Sequence, residues 1–506
     1  MVASKIVKQF TKFLFPFRYS PKDTPLCSGA DCSEIAGLPN PFVRFHPKSE
    51  GLRKGIGEML SDDSSAKIAD CFELSDTKRT MLNLPHRAVD TVSFRTRSKD
   101  NSVYSITVED VRLYLFESEV GFVEVEFGYC SDKLEDFVEC NYFISEIKSD
   151  ENVFEYERKL SKDESEKHIF TLKELVCKVL SYVGGVLDMK KDSFPGFSED
   201  KGVIYSYILT DKKPENLDKL LFTLRRNYKG SYKVPCDKDI LSDPHIKQQF
   251  ENSYWTASYN GAVNLSFCTG DKTTDLFFNS NFYSKMKETY YILFLHALHQ
   301  RFAMMKYIGD MGQLDTLGNN YLVMKRELKA AENYYAKASN LEFRAFFKLP
   351  SNVEHVNDYY NLLLRTFKIN ELKFNFDNDL KTLTDICKTY VDRIKRRDDK
   401  IAARRKKKIE VFVSLLGTFV AVITLLNSYW GLLEKLMGNR VNFWSIQILV
   451  FVGALLVPFV TVVVDIVYSV KEIRKMTQDL KDEVEDNLVE SDKIRKIRKK
   501  RSQKNK

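Results

Sequence analysis

The sequence predicts a cytosolic α+β domain followed by a helical stalk and two C-terminal transmembrane helices. Three observations predict it. First, two apolar runs, Val411 to Leu433 and Trp444 to Val470, stand ten residues apart. At roughly 1.5 Å per residue they cover about 34 and about 40 Å, enough to cross a hydrocarbon core of about 30 Å with some tilt. Second, cations crowd both outer flanks: Arg393 to Lys408 carries ten against two Asp, and Lys471 to Lys506 carries thirteen against eight acids. Both flanks are then cytoplasmic, only Glu434 to Phe443 lies outside, and the protein is multi-pass in the plasma membrane. Third, residues from about 36 to about 270 alternate short β-type runs with helices, and from Asn281 the period turns helical.

In order, these signals give a cytosolic α+β domain over 1–280, a helical domain over 281–370, a stalk helix over 371–410, transmembrane helix 1 over 411–433, transmembrane helix 2 over 444–470 and a basic tail over 471–506. The N-terminal MVASKIVKQFTKFLFPFRY mixes cations with apolar residues, is interrupted by Lys8 and Lys12 and ends at Pro16. It reads as a cytosolic helix running into the first strand, with no cleavage signal. Val111, Leu113 and Leu115, then Val123, Val125 and Phe127, alternate about a turn at Glu117 to Glu119, which is a β-hairpin with Glu124 and Glu126 on its wet face. Val203 to Leu209 and Ala262 to Cys268 are further strands; Leu172 to Tyr182 and Asn216 to Arg226 are helices.

Further on, Phe282 to Ile308, Asn319 to Ser339 and Val353 to Phe367 are helical, with Pro350 between the last two. From Asp379 a helix can run unbroken into the membrane. Its apolar positions Leu380, Leu383, Cys387, Tyr390, Ile394 and Ile401 are spaced 3, 4, 3, 4 and 7, a coiled-coil seam that needs a partner, either another part of the same chain or, as suits a stripe leading into a membrane helix, another copy around an axis.

The chain is +8 overall, and the two basic segments contribute +8 and +5, leaving −5 for the rest. The excess cations sit where anionic headgroups lie, so the expected partner is the lipid bilayer and not nucleic acid. Nine scattered cysteines suit a reducing compartment. On the first span, Ser414, Gly417, Thr418, Ala421, Thr424, Ser428 and Gly431 form a small and polar stripe, which either packs helices closely or lines a pore in an oligomer. His296 and His299 share a helix face and read as core histidines. Arg225, Arg226 and Lys229, with Trp255 and Lys272 of the CTGDKTTD loop, offer cations and an aromatic to a nucleotide. Without a P-loop, a nucleophile elbow, paired metal motifs or a dinucleotide fingerprint, an enzyme is not expected.

This order of parts, over most of the chain, resembles the CorA superfamily of metal-ion transporters. The resemblance implies a homo-oligomer, a pentamer, whose first span lines the pore, and Mg²⁺ as the transported ion. The family's Gly-Met-Asn should follow an aromatic at the outer end of that span. Here SYWGLLEKLMGNR sets Gly431 after Tyr429 and Trp430 without Met and Asn after it, and Met437, Gly438 and Asn439 stand in another order. Glu434 against Lys435 and Arg440 leaves the outer loop at +1, where a divalent cation calls for negative charge. The chain looks more like the divergent branch associated with type III CRISPR systems, which implies a nucleotide messenger such as SAM-AMP as ligand. The expected function is an oligomeric membrane channel gated by a cytosolic ligand and acting as an antiviral defence effector. The alternative is a divalent metal-ion (magnesium) transporter.

Overall fold

The structure is a computed structural model that describes residues 4–20, 34–35, 38–60, 67–85, 92–96, 102–147, 152–159, 165–183, 201–227, 243–312, 321–345 and 349–437. The chain divides into two compact units, Met1–Val391 and Asp392–Lys506. The second apolar run, the loop from residue 438, the basic tail and Lys229 lie outside the described residues.

The first unit is an α/β sheet domain. Its strands are β1 (Ile6–Arg18), the small separate pair β2 (Glu34–Ile35) and β3 (Leu38–Pro39), β4 (Phe42–Arg44), β5 (Ala69–Leu74), β6 (Val92–Arg95), β7 (Val103–Phe116), β8 (Val120–Tyr129), β9 (Val153–Lys159), β10 (Ser165–Thr171), β11 (Val203–Thr210), β12 (Ile246–Phe250), β13 (Ser253–Ser258) and β14 (Gly261–Phe267). Among the described residues twelve of them form one sheet, ordered β10-β9-β6-β7-β8-β1-β11-β14-β13-β12, with β5 also on β7 and β4 on β5. Every pairing is antiparallel except β11 with β14. Gly261 permits that parallel pair: at φ +145° its added Cβ would stand 1.9 Å from the Ile204 carbonyl oxygen.

Helices cover both faces. On one lie α2 (Leu134–Ser145), α3 (Leu172–Ser181) and α4 (Leu217–Arg226), whereas the short α1 (Lys54–Glu58) buries Ile56 in the core of the opposite face. Thr171 starts α3 with a capping box, its hydroxyl accepting from the Glu174 amide at 3.2 Å while Glu174 accepts from the Thr171 amide at 2.7 Å. On the other face α5 (Lys272–Phe277), α6 (Tyr283–Lys285) and α7 (Tyr291–Met311) form one continuous helical run, joined by π turns at Phe278–Phe282 and Met286–Tyr290. Packed on it are α8 (Tyr321–Ala345), α9 (Glu354–Thr366) and the beginning of α10 (Ile369–Met437).

The predicted hairpin, the strands at 203 and 262, and the helices at 172 and 216 are in place. Two expectations are corrected, and one left open is answered in part. The N-terminal segment is no helix: β1 is a central strand between β8 and β11. Phe10 and Leu14 enter the core under α7, whereas Phe13, Phe15 and Phe17 enter the core under α3. Pro16 is tolerated because it lies beyond the last β11 pairing, Leu14 with Val203. Glu124 and Glu126 do not face water; with helices on both faces of the sheet, they are 0 % and 1 % exposed. The coiled-coil seam finds its first partner in its own chain: Leu380 and Leu383 are buried in the core cluster with Phe376 and Tyr307. Ile386 and Ile401 are exposed, and the side chains of Cys387 and Tyr390 lie outside the described residues.

Candidate functional site

From Asp392 on, α10 belongs to the second unit. Its apolar side chains Val411, Phe412, Val413, Leu416, Val420, Val422, Leu425, Tyr429 and Leu432 are all exposed. Among the described residues this is the one helix long and apolar enough to cross a membrane. At about 100° per residue Ser414, Gly417, Thr418, Ala421, Thr424, Ser428 and Gly431 fall within an arc of about 140°. Leu425 and Leu432 share that arc. All seven are exposed. The hydroxyls of Thr418, Thr424 and Ser428 donate to the carbonyls of Ser414, Val420 and Thr424 at 2.8, 2.7 and 2.8 Å, so the donors are satisfied without water. Nothing stands within 4 Å of a Cβ added at Gly417 or Gly431.

Among the described residues, those expected to hold a nucleotide, Arg225, Arg226, Trp255 and Lys272, do not converge. Trp255 is 1 % exposed, stacked on Tyr359 with ring centroids 3.9 Å apart, and its indole N–H donates to Gln249 at 2.7 Å. It points to the α9 side of β13, while its neighbour Thr256 bonds the Leu221 carbonyl of α4 on the other side. Arg225 is on that α4 side, paired with Asp243 at 2.8 Å, and Arg226 lies over the Phe222 ring. Lys272, expected in a loop, is the exposed first residue of α5. The loop before it turns its amides inward: Asp275 accepts from the amides of Thr269 (2.7 Å) and Gly270 (3.1 Å), and Asp271 accepts from the Thr274 amide (2.9 Å).

What the sheet brings together instead is an ion cluster under the second π turn. Lys12 of β1 reaches Glu124 at 2.7 Å and Glu126 at 3.2 Å on β8, and lies 4.0 Å from the centre of the Tyr291 ring. Arg112 approaches Glu124 at 3.6 Å and Asp110 at 2.9 Å. Lys287 pairs with Glu126. Tyr114 donates to Glu124 at 2.8 Å, and Tyr291 donates to the same oxygen. Three cations meet three carboxylates. Burial pushes both glutamates up, but Lys12 and Arg112 bring Glu124 below its ordinary value, and Lys12, Lys287 and Arg112 bring Glu126 down to about 2. The cluster ties the helical run to the middle of the sheet through charge. Its signal in the sequence was a Lys inside FTKFLF and two Glu alternating inside a strand of large apolar residues.

A second polar row lies along α7. His296 and Gln300 bond the Ala345 carbonyl at the end of α8, and Gln300 also donates to Tyr360 at 2.9 Å. His299 stacks on Phe116 at 3.8 Å and meets the Ser118 hydroxyl at 2.9 Å. Lys306 pairs with Glu119 at 2.6 Å and Asp310 at 3.4 Å. The histidines are core residues held neutral by burial, which takes His296 down to about 4 and His299 well below its ordinary value. Among the described residues no group of three or more His, Cys, Asp or Glu is placed to hold a metal ion. No family model, curated protein or solved structure matches this chain.

Proposed function

We propose that the protein is an oligomeric membrane channel of the CorA-like type, with α10 lining the pore and the sheet domain taking a cytosolic ligand that opens it. The observation that carries the reading is α10. An uncovered run of large apolar side chains follows directly on a helical stretch bearing ten cations between Arg393 and Lys408. A surface of that kind is expelled by water and accepted by a bilayer, with the cations at the headgroups. The hydroxyl and glycine stripe gives the helix one face that tolerates water or close approach of another copy. The antiviral setting is the one the resemblance implies. The magnesium-transporter reading is the weaker one because Leu432 and Leu433, not Met and Asn, follow Gly431.

Ion flux through purified protein in liposomes tests this. Thr424→Phe on the stripe should lower flux at least tenfold, whereas Val422→Phe, about 110° from the middle of the arc, should leave it within about twofold. Equal flux from the two variants would remove α10 from the pore. Absence of flux with every candidate ligand would leave a membrane anchor in place of a channel.

A further inference from the structure

Between the Glu117–Glu119 turn, α7 and α8 is a half-open cleft lined by Glu117, Ser118, His299, Tyr307, Lys337 and Arg344. Its volume of about 90 Å³ admits one compact polar group, not a whole drug-sized ligand. Its walls hold more donors than acceptors. Arg344 has five N–H groups and uses one on the Glu117 carboxylate at 2.6 Å and another on the Lys67 carbonyl. Lys337 uses one of three on Glu119 at 2.9 Å. His299 is 1 % exposed, and its Nδ1 has no hydrogen-bond partner although Nε2 meets Ser118. The Tyr307 phenol is kept protonated by burial and by Glu119, Asp310 and Glu117. Of the charged residues that line the cleft, Lys337 and Arg344 stand against Glu117, an excess of one positive charge.

We propose that this cleft binds the phosphate group of a small ligand, either inorganic phosphate or a phosphomonoester. Donors reach the cleft from Tyr307 of α7 and from Lys337 and Arg344 of α8, and the Ser118–His299 pair adds one more, the Ser118 hydroxyl or the His299 Nδ1–H according to the tautomer, so they approach from several directions. A tetrahedral oxyanion presents acceptors to all of them, whereas a planar carboxylate serves fewer. The volume fits the phosphate, with any ester arm leaving through the open side past Lys337. A bound phosphate joins α8 to the β7–β8 turn. Binding stands apart from the channel reading; only its use as the opening signal rests on that reading.

The test is isothermal titration of the full-length protein in detergent, with inorganic phosphate in one arm and glycerol 1-phosphate in the other. Saturable binding is expected in at least one arm, and the tighter arm names the source. Arg344→Gln should weaken it about tenfold or more, and the half-exposed Lys337→Gln about threefold, at unchanged circular dichroism. No saturable heat up to about 10 mM in either arm, or binding unchanged in both variants, overturns the site. Liposome flux is measured on the same protein with and without the tighter ligand. Binding without any change in flux supports the site and removes the gating role, and flux without saturable binding overturns the site while leaving the channel reading standing.

Discussion

Acid should loosen the seat of α8 on α7 through His296. The imidazole is buried and bonded to the Ala345 carbonyl, and burial takes it from 6.5 to about 4. The unfolded chain accepts the proton near 6.5, so between the two values the unfolded state binds more protons. The stabilising contribution is therefore complete above 6.5 and is lost as pH falls toward 4. A shift of this size is worth about 3 kcal/mol once fully lost, and about 2 kcal/mol of it is gone by about pH 5. Urea unfolding of the full-length protein in detergent, at about pH 7.5 and about pH 5, measures this when His296→Gln is run beside the wild type. Gln keeps a donor for the Ala345 carbonyl but takes no proton, so the variant should lose about 2 kcal/mol less stability than the wild type across the interval. His299 stays in both proteins, and because burial, ahead of the charge on His296, is what lowers it, the larger part of its contribution cancels. Identical pH dependence in the two would refute the reasoning, because His296 would then be free to protonate in the folded state.

Lys12→Met leaves Glu124 and Glu126 buried without their shared cation and should cost about 3–5 kcal/mol by the same urea assay; a loss below about 1 kcal/mol would mean that the cluster is open to water. Ile394→Asp with Ile401→Asp should lower the oligomer mass in detergent without unfolding the sheet domain, because these positions, unlike Leu380 and Leu383, are not in its core; unchanged mass would remove the lower stalk from assembly. Asn439→Cys and Lys504→Cys test topology with an impermeant thiol reagent in intact cells. Labelling at 439 alone is expected, and labelling at 504 alone would invert the membrane orientation.

The elements legible in the sequence were those with a local signature. β7 and β8 alternate about a turn that leaves Glu119 at φ 65°, and α3 opens on a capping box. β1 was hidden because both of its faces are buried, so Phe13 to Phe17 read as an apolar run without alternation. Lys5, Lys8 and Lys12, at steps of three and four, imitate the polar stripe of a helix. Glu124 and Glu126 looked wet because alternation tells which residues share a face, not what covers it. The cleft was invisible for another reason: Ser118, His299 and Arg344 are brought together only by tertiary folding, and none of the three lies in a motif. For the seam, heptad spacing shows that a stripe is apolar and leaves open whether its own chain or another copy covers it.

The central position of β1 has a consequence for biosynthesis. β1, which precedes the other described strands in the chain, pairs on one side with β8 and on the other with β11, whose residues 203 to 210 are made almost two hundred residues later. At roughly 5–20 residues per second, β1 waits about 10–40 s for that neighbour, holding Phe10, Phe13, Phe15 and Phe17 without their final cover. Closing so distant a pair makes the sheet slow to complete. The apolar part of α10 is translated after every strand of the sheet. The order of synthesis thus supplies the sheet with all its described strands before the apolar stretch of α10 is made.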